Sequence, residues 1–324
     1  MYTRKEKLIK QLTALVTVTL GGTTTFAGLC IWNGNEKFYR DYVMPFTRRL
    51  DPETSHGLAV FAMKHCLIKK QLKPDAESLV EGHEAVFHRV RQEKEKQERA
   101  IIGVNLGKNK ESAMEDVRDY VSGVEKFGAI ADYLVINISS PNTPRLRGLH
   151  KKAELENLIS HVLEARNKLG TANLPPLLVK IAPDLSEDEK KDVASVILKE
   201  KCRVDGIIVC NTTTSRPFDL KSQCKDEIGG LSGQPLKDLS TRCIRDFYRL
   251  TNGQIPIIGV GGISSGQDAY EKILAGASLV QLYTSFALQG PPVVRRIKRE
   301  LDEILRSNGY QNVAEAIGKS SQGN

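Results

Sequence analysis

From Ile101 onward the chain alternates short β-branched runs with amphipathic stretches. The runs are Ile101–Asn105, Tyr133–Asn137, Leu177–Ile181, Gly206–Cys210, Ile255–Val260 and Leu279–Tyr283. Between them, apolar residues recur at helical spacing over Glu115–Phe127, Lys152–Lys168, Glu187–Lys199, Lys237–Leu250 and Gly266–Ala275. Strands that are nearly all apolar and separated by helices predict a parallel sheet covered on both faces. Each run ends in a polar or Gly-rich loop, as in Asn137-Ile138-Ser139-Ser140-Pro141-Asn142-Thr143 and Gly259-Val260-Gly261-Gly262. A (β/α)8 barrel carries its chemistry at that end of its strands.

The count falls short of a closed barrel. Six units fill the region from about residue 100 to 300, at roughly thirty residues each, where eight are needed. Upstream, Glu81–Arg99 reads as one charged helix, with only a short linker, Lys73–Val80, before it. The last two units have the glycines of a phosphate-binding pair: Gly259-Val260-Gly261-Gly262 after one strand and Ala275-Gly276-Ala277 before the next. The expected fold is therefore an α/β, (β/α)8 TIM-barrel type with its first two βα units missing.

The start of the chain is different. Arg4, Lys5, Lys7 and Lys10 face a single Glu6, and no charge occurs from Gln11 to Asn35. That stretch is long enough for a single transmembrane helix, with Trp32 near one interface. A removed presequence and a peripheral helix are the alternatives. Next, Glu36–Leu50 places Phe38, Tyr42, Val43, Phe46 and Leu50 on one helical face. Asp51-Pro52-Glu53 then starts a second helix with Leu58, Ala59, Phe61, Ala62, Met63 and Leu67. Such a pair could lie on a membrane and form an apolar mouth for a lipid-soluble molecule, or simply cap the body. The expected division is 1–35 as a targeting or transmembrane segment, 36–80 as the helical pair with its linker, and 81–324 as the barrel.

Composition changes this picture little. Nine Phe, nine Tyr and one Trp in 324 residues require a largely aliphatic core. The net charge of +8 comes from Lys and Arg interleaved with acids, as in Arg91-Gln92-Glu93-Lys94-Glu95-Lys96. That is a solvated helix face and not a nucleic-acid patch, although a basic chain suits an anionic membrane surface. The six cysteines form no CxxC pair and no metal-like spacing with His, which excludes a disulfide framework and a zinc site.

Taken in order, the strand-end loops Gly103-Val104-Asn105-Leu106-Gly107-Lys108-Asn109, Asn137–Thr143, Val179-Lys180-Ile181-Ala182-Pro183-Asp184, Asn211-Thr212-Thr213, Gly229-Gly230-Leu231-Ser232-Gly233 and Gly259–Gly262 resemble class 2, quinone-dependent dihydroorotate dehydrogenase. The resemblance covers nearly the whole chain, with an interruption near Val80-Glu81-Gly82. There the family has two further βα units, about seventy residues on the spacing above. It implies that a base takes a proton from C5 of dihydroorotate while hydride leaves C6 for FMN, and that electrons then pass to ubiquinone. Ser140 matches the base. Asn137, Asn142, Asn211 and Thr212 match the groups that grip the orotate ring. Asn105, Asn137, Lys180, Cys210, Gly233, Gly262, Tyr283 and Thr284 match the FMN site. Cys210 stands where the vertebrate-type pattern has Thr, so only a backbone contact would survive there. Met44, His56, Ala59 and Tyr283 match the quinone tunnel. The expected partners are dihydroorotate or orotate, ubiquinone and inner-membrane lipid, in a single-pass protein of the mitochondrial inner membrane with its body facing the intermembrane space. Without the two units, the alternative is an inactive, membrane-anchored form with an incomplete FMN site.

Overall fold

The computed structural model describes residues 21–47, 49–50, 91, 94, 101–109, 112–113, 115–141, 150–218, 220, 225 and 227–321. The chain divides into two compact units, Met1–Leu72 with Ser285–Arg295 and Lys73–Thr284 with Arg296–Asn324.

The larger unit is built on six parallel strands, β1 (Gly103–Leu106), β2 (Tyr133–Asn137), β3 (Leu177–Ile181), β4 (Gly206–Val209), β5 (Ile257–Val260) and β6 (Leu279–Gln281). They lie side by side in sequence order. Among the described residues, β1 and β6 have neighbours on one side only, so the sheet is a barrel wall that does not close. The connecting helices are α1 (Arg118–Phe127), α2 (Lys152–Asn167), α3 (Glu187–Ile197), α4 (Lys237–Leu250) and α5 (Gly266–Leu274), followed by α6 (Thr284–Gln289) and α7 (Pro292–Ser307).

Alternation along the strands separates two faces. Leu134, Ile136, Leu177, Val179, Ile181, Ile207, Val209 and Ile257 point to the helices and are buried there with Tyr120, Phe127, Leu155, Ile159, Val193, Ile244 and Phe247. The register aligns the opposite set across the sheet: Asn105 with Val135, Asn137 with Lys180, Lys180 with Ile208, and Val260 with Gln281. On that inner face Val135, Leu178 and Ile208 form a second, smaller cluster with Tyr133, Ile258 and Val260.

Local signals set the element ends. In α3, Ser186 accepts the Glu189 N–H at 3.3 Å, and the Glu189 carboxylate accepts the Ser186 N–H at 2.8 Å. In α5, Ser265 accepts the Asp268 N–H at 3.1 Å. At the start of two strands, Asp132 accepts the Ile102 N–H at 2.7 Å and Asp205 the Leu177 N–H at 2.8 Å. Carboxylates thus close the end of the sheet opposite the polar loops. α1 begins at Arg118 and not at Glu115, and Asp116, just before it, accepts the Arg118 N–H at 2.9 Å.

In the smaller unit, residues 21–32 are helical. The expected membrane span over 11–35 is not supported: among the described residues no helix is long and apolar enough to cross a membrane. The first twenty residues lie outside the description. Helical turns then run through Glu36–Phe38, Tyr39–Val43 and Met44–Thr47, as the spacing predicts. Tyr39 is the buried side chain, while Tyr42 and Phe46 are exposed. Phe38 meets Phe26 edge to face and Tyr42 at a tilt, at centroid distances of 6.3 and 5.2 Å. The second helix of the pair and most of the charged Glu81–Arg99 stretch lie outside the described residues.

Candidate active site

The C-terminal ends of β2, β3 and β4 meet in one hydrogen-bonded cluster. Asn137 ends β2, and its side-chain oxygen accepts from the Ser139 N–H and hydroxyl, both at 3.2 Å, and from the Asn211 amide at 3.2 Å. The Asn211 amide also reaches the Ser139 oxygen at 3.1 Å. Ser139 in turn donates to the Lys180 carbonyl at 3.0 Å. From behind the sheet, Tyr120 of α1 donates its hydroxyl to the Asn137 carbonyl at 2.9 Å. Burial pushes the Tyr120 phenol up, so it stays a donor. Thr212 is fixed through its N–H to the Asn211 oxygen at 2.9 Å.

Ser139 was not singled out from the sequence, yet it is fully buried and binds three strand ends together. Ser140, next to it, is half-buried at the edge of the cluster. Asn142 lies outside the described residues, as do His56 and Ala59. Met44 sits in the smaller unit beside Gly290.

Cys210 follows β4 across a cis peptide from Val209. Its N–H donates to the Val260 carbonyl at 3.2 Å, and its thiol faces the same oxygen at 3.8 Å. Burial pushes that thiol up to about 12, despite the opposing contact from Ser240. The Cys210 N–H and thiol are thus both turned to the Val260 carbonyl.

At the ends of β1 and β6, the inner face presents Asn105 and Gln281. Each has a buried side-chain oxygen with no partner among the described residues. Gln281 was also missed from the sequence, although the period-two alternation of Leu279–Gln281 would have placed it inward. Between β4 and β6, Gly233 (φ +81°) lies where an added Cβ would stand 3.1 Å from Thr284, and Thr284 donates to Ser232 at 3.0 Å. Gly262 (φ +72°) packs on the first turn of α4, where a Cβ would come within 2.8 Å of the Lys237 nitrogen. The Gly262 carbonyl accepts from Gln234 at 2.9 Å. Asp268 secures this turn from below, accepting from the Ser264 N–H at 2.9 Å and pairing with Lys237 at 2.9 Å. Burial works against the Asp268 carboxylate, but Lys237, Ser264 and Ser265 outweigh it and hold its pKa at about 2. Gly233, Gly262 and Thr284 thus form one cradle, while Tyr283 stands 70% exposed beside it.

The family model for dihydroorotate dehydrogenase matches residues 79–305. The mouse protein "Dihydroorotate dehydrogenase (quinone), mitochondrial" is 41% identical over 375 aligned positions, covering 92% of this chain and 94% of that protein. Since the alignment is longer than the chain's 324 residues, the mouse protein has residues with no counterpart here. The rice protein of the same name is 53% identical over 67% of this chain and 46% of its own length. "Dihydroorotate dehydrogenase (quinone)" of Xanthobacter autotrophicus is 49% identical over 74% and 66%. Among solved structures, the enzyme from Eimeria tenella in complex with ferulenol superposes with a TM-score of 0.71 at 43% identity, covering 75% of this chain and 69% of that one.

Proposed function

The chain belongs to the dihydroorotate dehydrogenase family, and from that premise we propose that it oxidises dihydroorotate to orotate for pyrimidine synthesis and passes the electrons to a quinone. The observation that carries this reading is the Asn137–Ser139–Asn211 cluster beside Lys180. It fixes amides on the inner face where a ring with alternating donors and acceptors could lie.

In this reading Asn137, Asn211, Thr212 and Asn142 orient the ring, and Ser140 takes the proton from C5. A serine hydroxyl is a weak base, so its rate contribution depends on held geometry. Ser139 supplies that geometry from below, because its bonds to Asn137, Asn211 and Lys180 leave the following residue little freedom.

The donor set fits FMN. Asn105 and Gln281 present buried acceptors lacking a donor, and Gly233, Gly262 and Thr284 form a backbone cradle suited to a phosphate. Lys180 contributes a cation on the same inner face, which favours a reduced flavin ring. Bound FMN would supply the hydride acceptance and the onward electron transfer. Met44, His56, Ala59 and Tyr283 are the proposed quinone contacts.

Two further points belong to the same reading. Six strands with open edges, together with a mouse relative longer than this chain, support the loss of two βα units near Val80–Gly82. The names of the mouse and rice relatives support a mitochondrial location. The exposed Phe26, Trp32, Tyr42 and Phe46 favour contact with the inner-membrane surface, the body facing the intermembrane space.

The test is the visible spectrum of the purified chain, before and after anaerobic dihydroorotate. Yellow protein that bleaches is the expected result. Colourless protein that stays so when FMN is added would defeat the reading.

A further inference from the structure

The turn Thr213–Arg216, just after Asn211 and Thr212 of the proposed ring site, is held from two sides by opposite charges. Its three hydroxyls and the Thr214 N–H go to Asp184, in the loop between β3 and α3, while the Ser215 N–H donates to the Thr213 hydroxyl at 2.9 Å. The Thr213 hydroxyl bonds one carboxylate oxygen, the Thr214 N–H reaches the other at 3.0 Å, and the Thr214 and Ser215 hydroxyls approach at 3.4 Å. Its carbonyls go to Arg216, whose guanidinium meets the oxygens of Thr213, Thr214 and Ser215 at 3.2 to 3.4 Å. The same guanidinium crosses to the returning limb of the loop and donates to Lys225 at 2.9 Å, Glu227 at 2.8 Å and Gly229 at 2.9 Å. A planar fork with five N–H groups can bridge two limbs in this way, and a point-like ammonium cannot.

This bridging fixes what lies next along the loop. Thr213 and Leu231 form an antiparallel bridge, with N–H to oxygen distances of 3.1 and 2.7 Å. Gly230 is thereby pressed onto the Thr212 side chain and onto Pro141, where a Cβ would stand 3.1 Å from the proline ring. Thr212 and Pro141 flank the proposed ring site, and Pro141 directly follows Ser140.

We propose that Asp184 and Arg216 are positioning residues for the substrate ring, clasping the loop after β4 so that Gly230 closes on Thr212 and Pro141. The assignment rests on the reading of Thr212 as a ring contact. Neither charge touches the substrate. They act by removing alternative positions of the loop, which lowers the ordering cost of binding.

Arg216→Ala and Asp184→Asn test this in the full chain, by tryptic cleavage after Lys221 and Lys225, orotate titration, and KM for dihydroorotate and for a soluble quinone. Arg216 precedes a proline, so its replacement removes no efficient tryptic site. The expected result is faster cleavage and roughly tenfold weaker orotate binding and higher dihydroorotate KM, with the quinone KM unchanged. Arg216→Lys should recover only part of the loss. Unchanged cleavage in Arg216→Ala, or equal shifts in both KM values, would overturn the proposal. If the unaltered chain binds no orotate, the substrate reading falls, and the cleavage ratio still decides whether the clasp exists.

Discussion

The same six strands build both faces of the sheet from alternate residues, yet the faces are finished to different degrees. On the helix side, Leu134, Ile136, Val179, Ile181, Ile207 and Ile257 are all fully buried. On the inner side the buried apolar side chains are Val135, Leu178 and Ile208. Tyr133, Ile258 and Val260 are partly covered, and Leu279 on the edge strand is 63% exposed. Each βα unit brings its own helix, so the outer core is complete with any number of units. The inner core of a closed barrel needs the strands opposite, and among the described residues the sheet has six strands and two free edges. Asn137, Ser139 and Asn211 sit at the rim of the less finished face.

The sharpest test of that contrast separates chemistry from support within one dipeptide. If the rim retains its geometry, Ser140→Ala should lower turnover by roughly 10² to 10⁴-fold with little change in melting temperature. Ser139→Ala should lower both, because it removes the hydroxyl that ties Asn137, Asn211 and the Lys180 carbonyl together. Equal effects of the two substitutions on turnover and melting would mean that the two serines are not divided between chemistry and support.

The second test compares the faces directly. Ile136→Ala, behind the sheet, should cost about 2–5 kcal/mol in denaturant unfolding. Ile258→Ala, on the inner face, should cost about 1 kcal/mol, since it opens no closed cavity. A cost as large as that of Ile136 would mean that the inner face is closed by something beyond the described residues.

What the sequence revealed follows the same division. The bounds of β2, β3 and α4 come out as the hydrophobic pattern predicts, because residues buried on both sides of a central strand leave an unbroken apolar run. The edges are less legible. β1 begins at Gly103, with Ile101 exposed, and β6 ends at Gln281, two residues before the expected Tyr283. An edge strand has one neighbour, and its length is set by that partner more than by its own pattern. Of the site, Asn137, Asn211 and Thr212 were legible through loop motifs, and the structure brings them together. Ser139 was hidden because a buried hydroxyl between strand ends looks, in sequence, like any turn serine. Arg216 and Asp184 were hidden because their partners are backbone carbonyls and turn groups, which no side-chain pattern records.

Among the charged side chains described in the helix layer, Lys272 is the most deeply buried, and it offers the last test. Lys272 of α5 is fully buried behind β5, close to Gly259, and its ammonium donates to the Lys237 carbonyl at 3.0 Å and the Thr241 hydroxyl at 2.7 Å. Burial lowers its pKa to about 8 from the ordinary 10.5. Between those values the unfolded chain holds more protons than the folded one, so stability rises as pH climbs through that window and is lowest below it. The whole effect is on the order of 3 kcal/mol at most. Lys272→Met should remove the alkaline rise, so that wild type gains on the variant between pH 8 and 10. Parallel stability curves in urea across that range would show instead that Lys272 keeps an ordinary charge, and that the outer layer behind β5 admits water where the other strands exclude it.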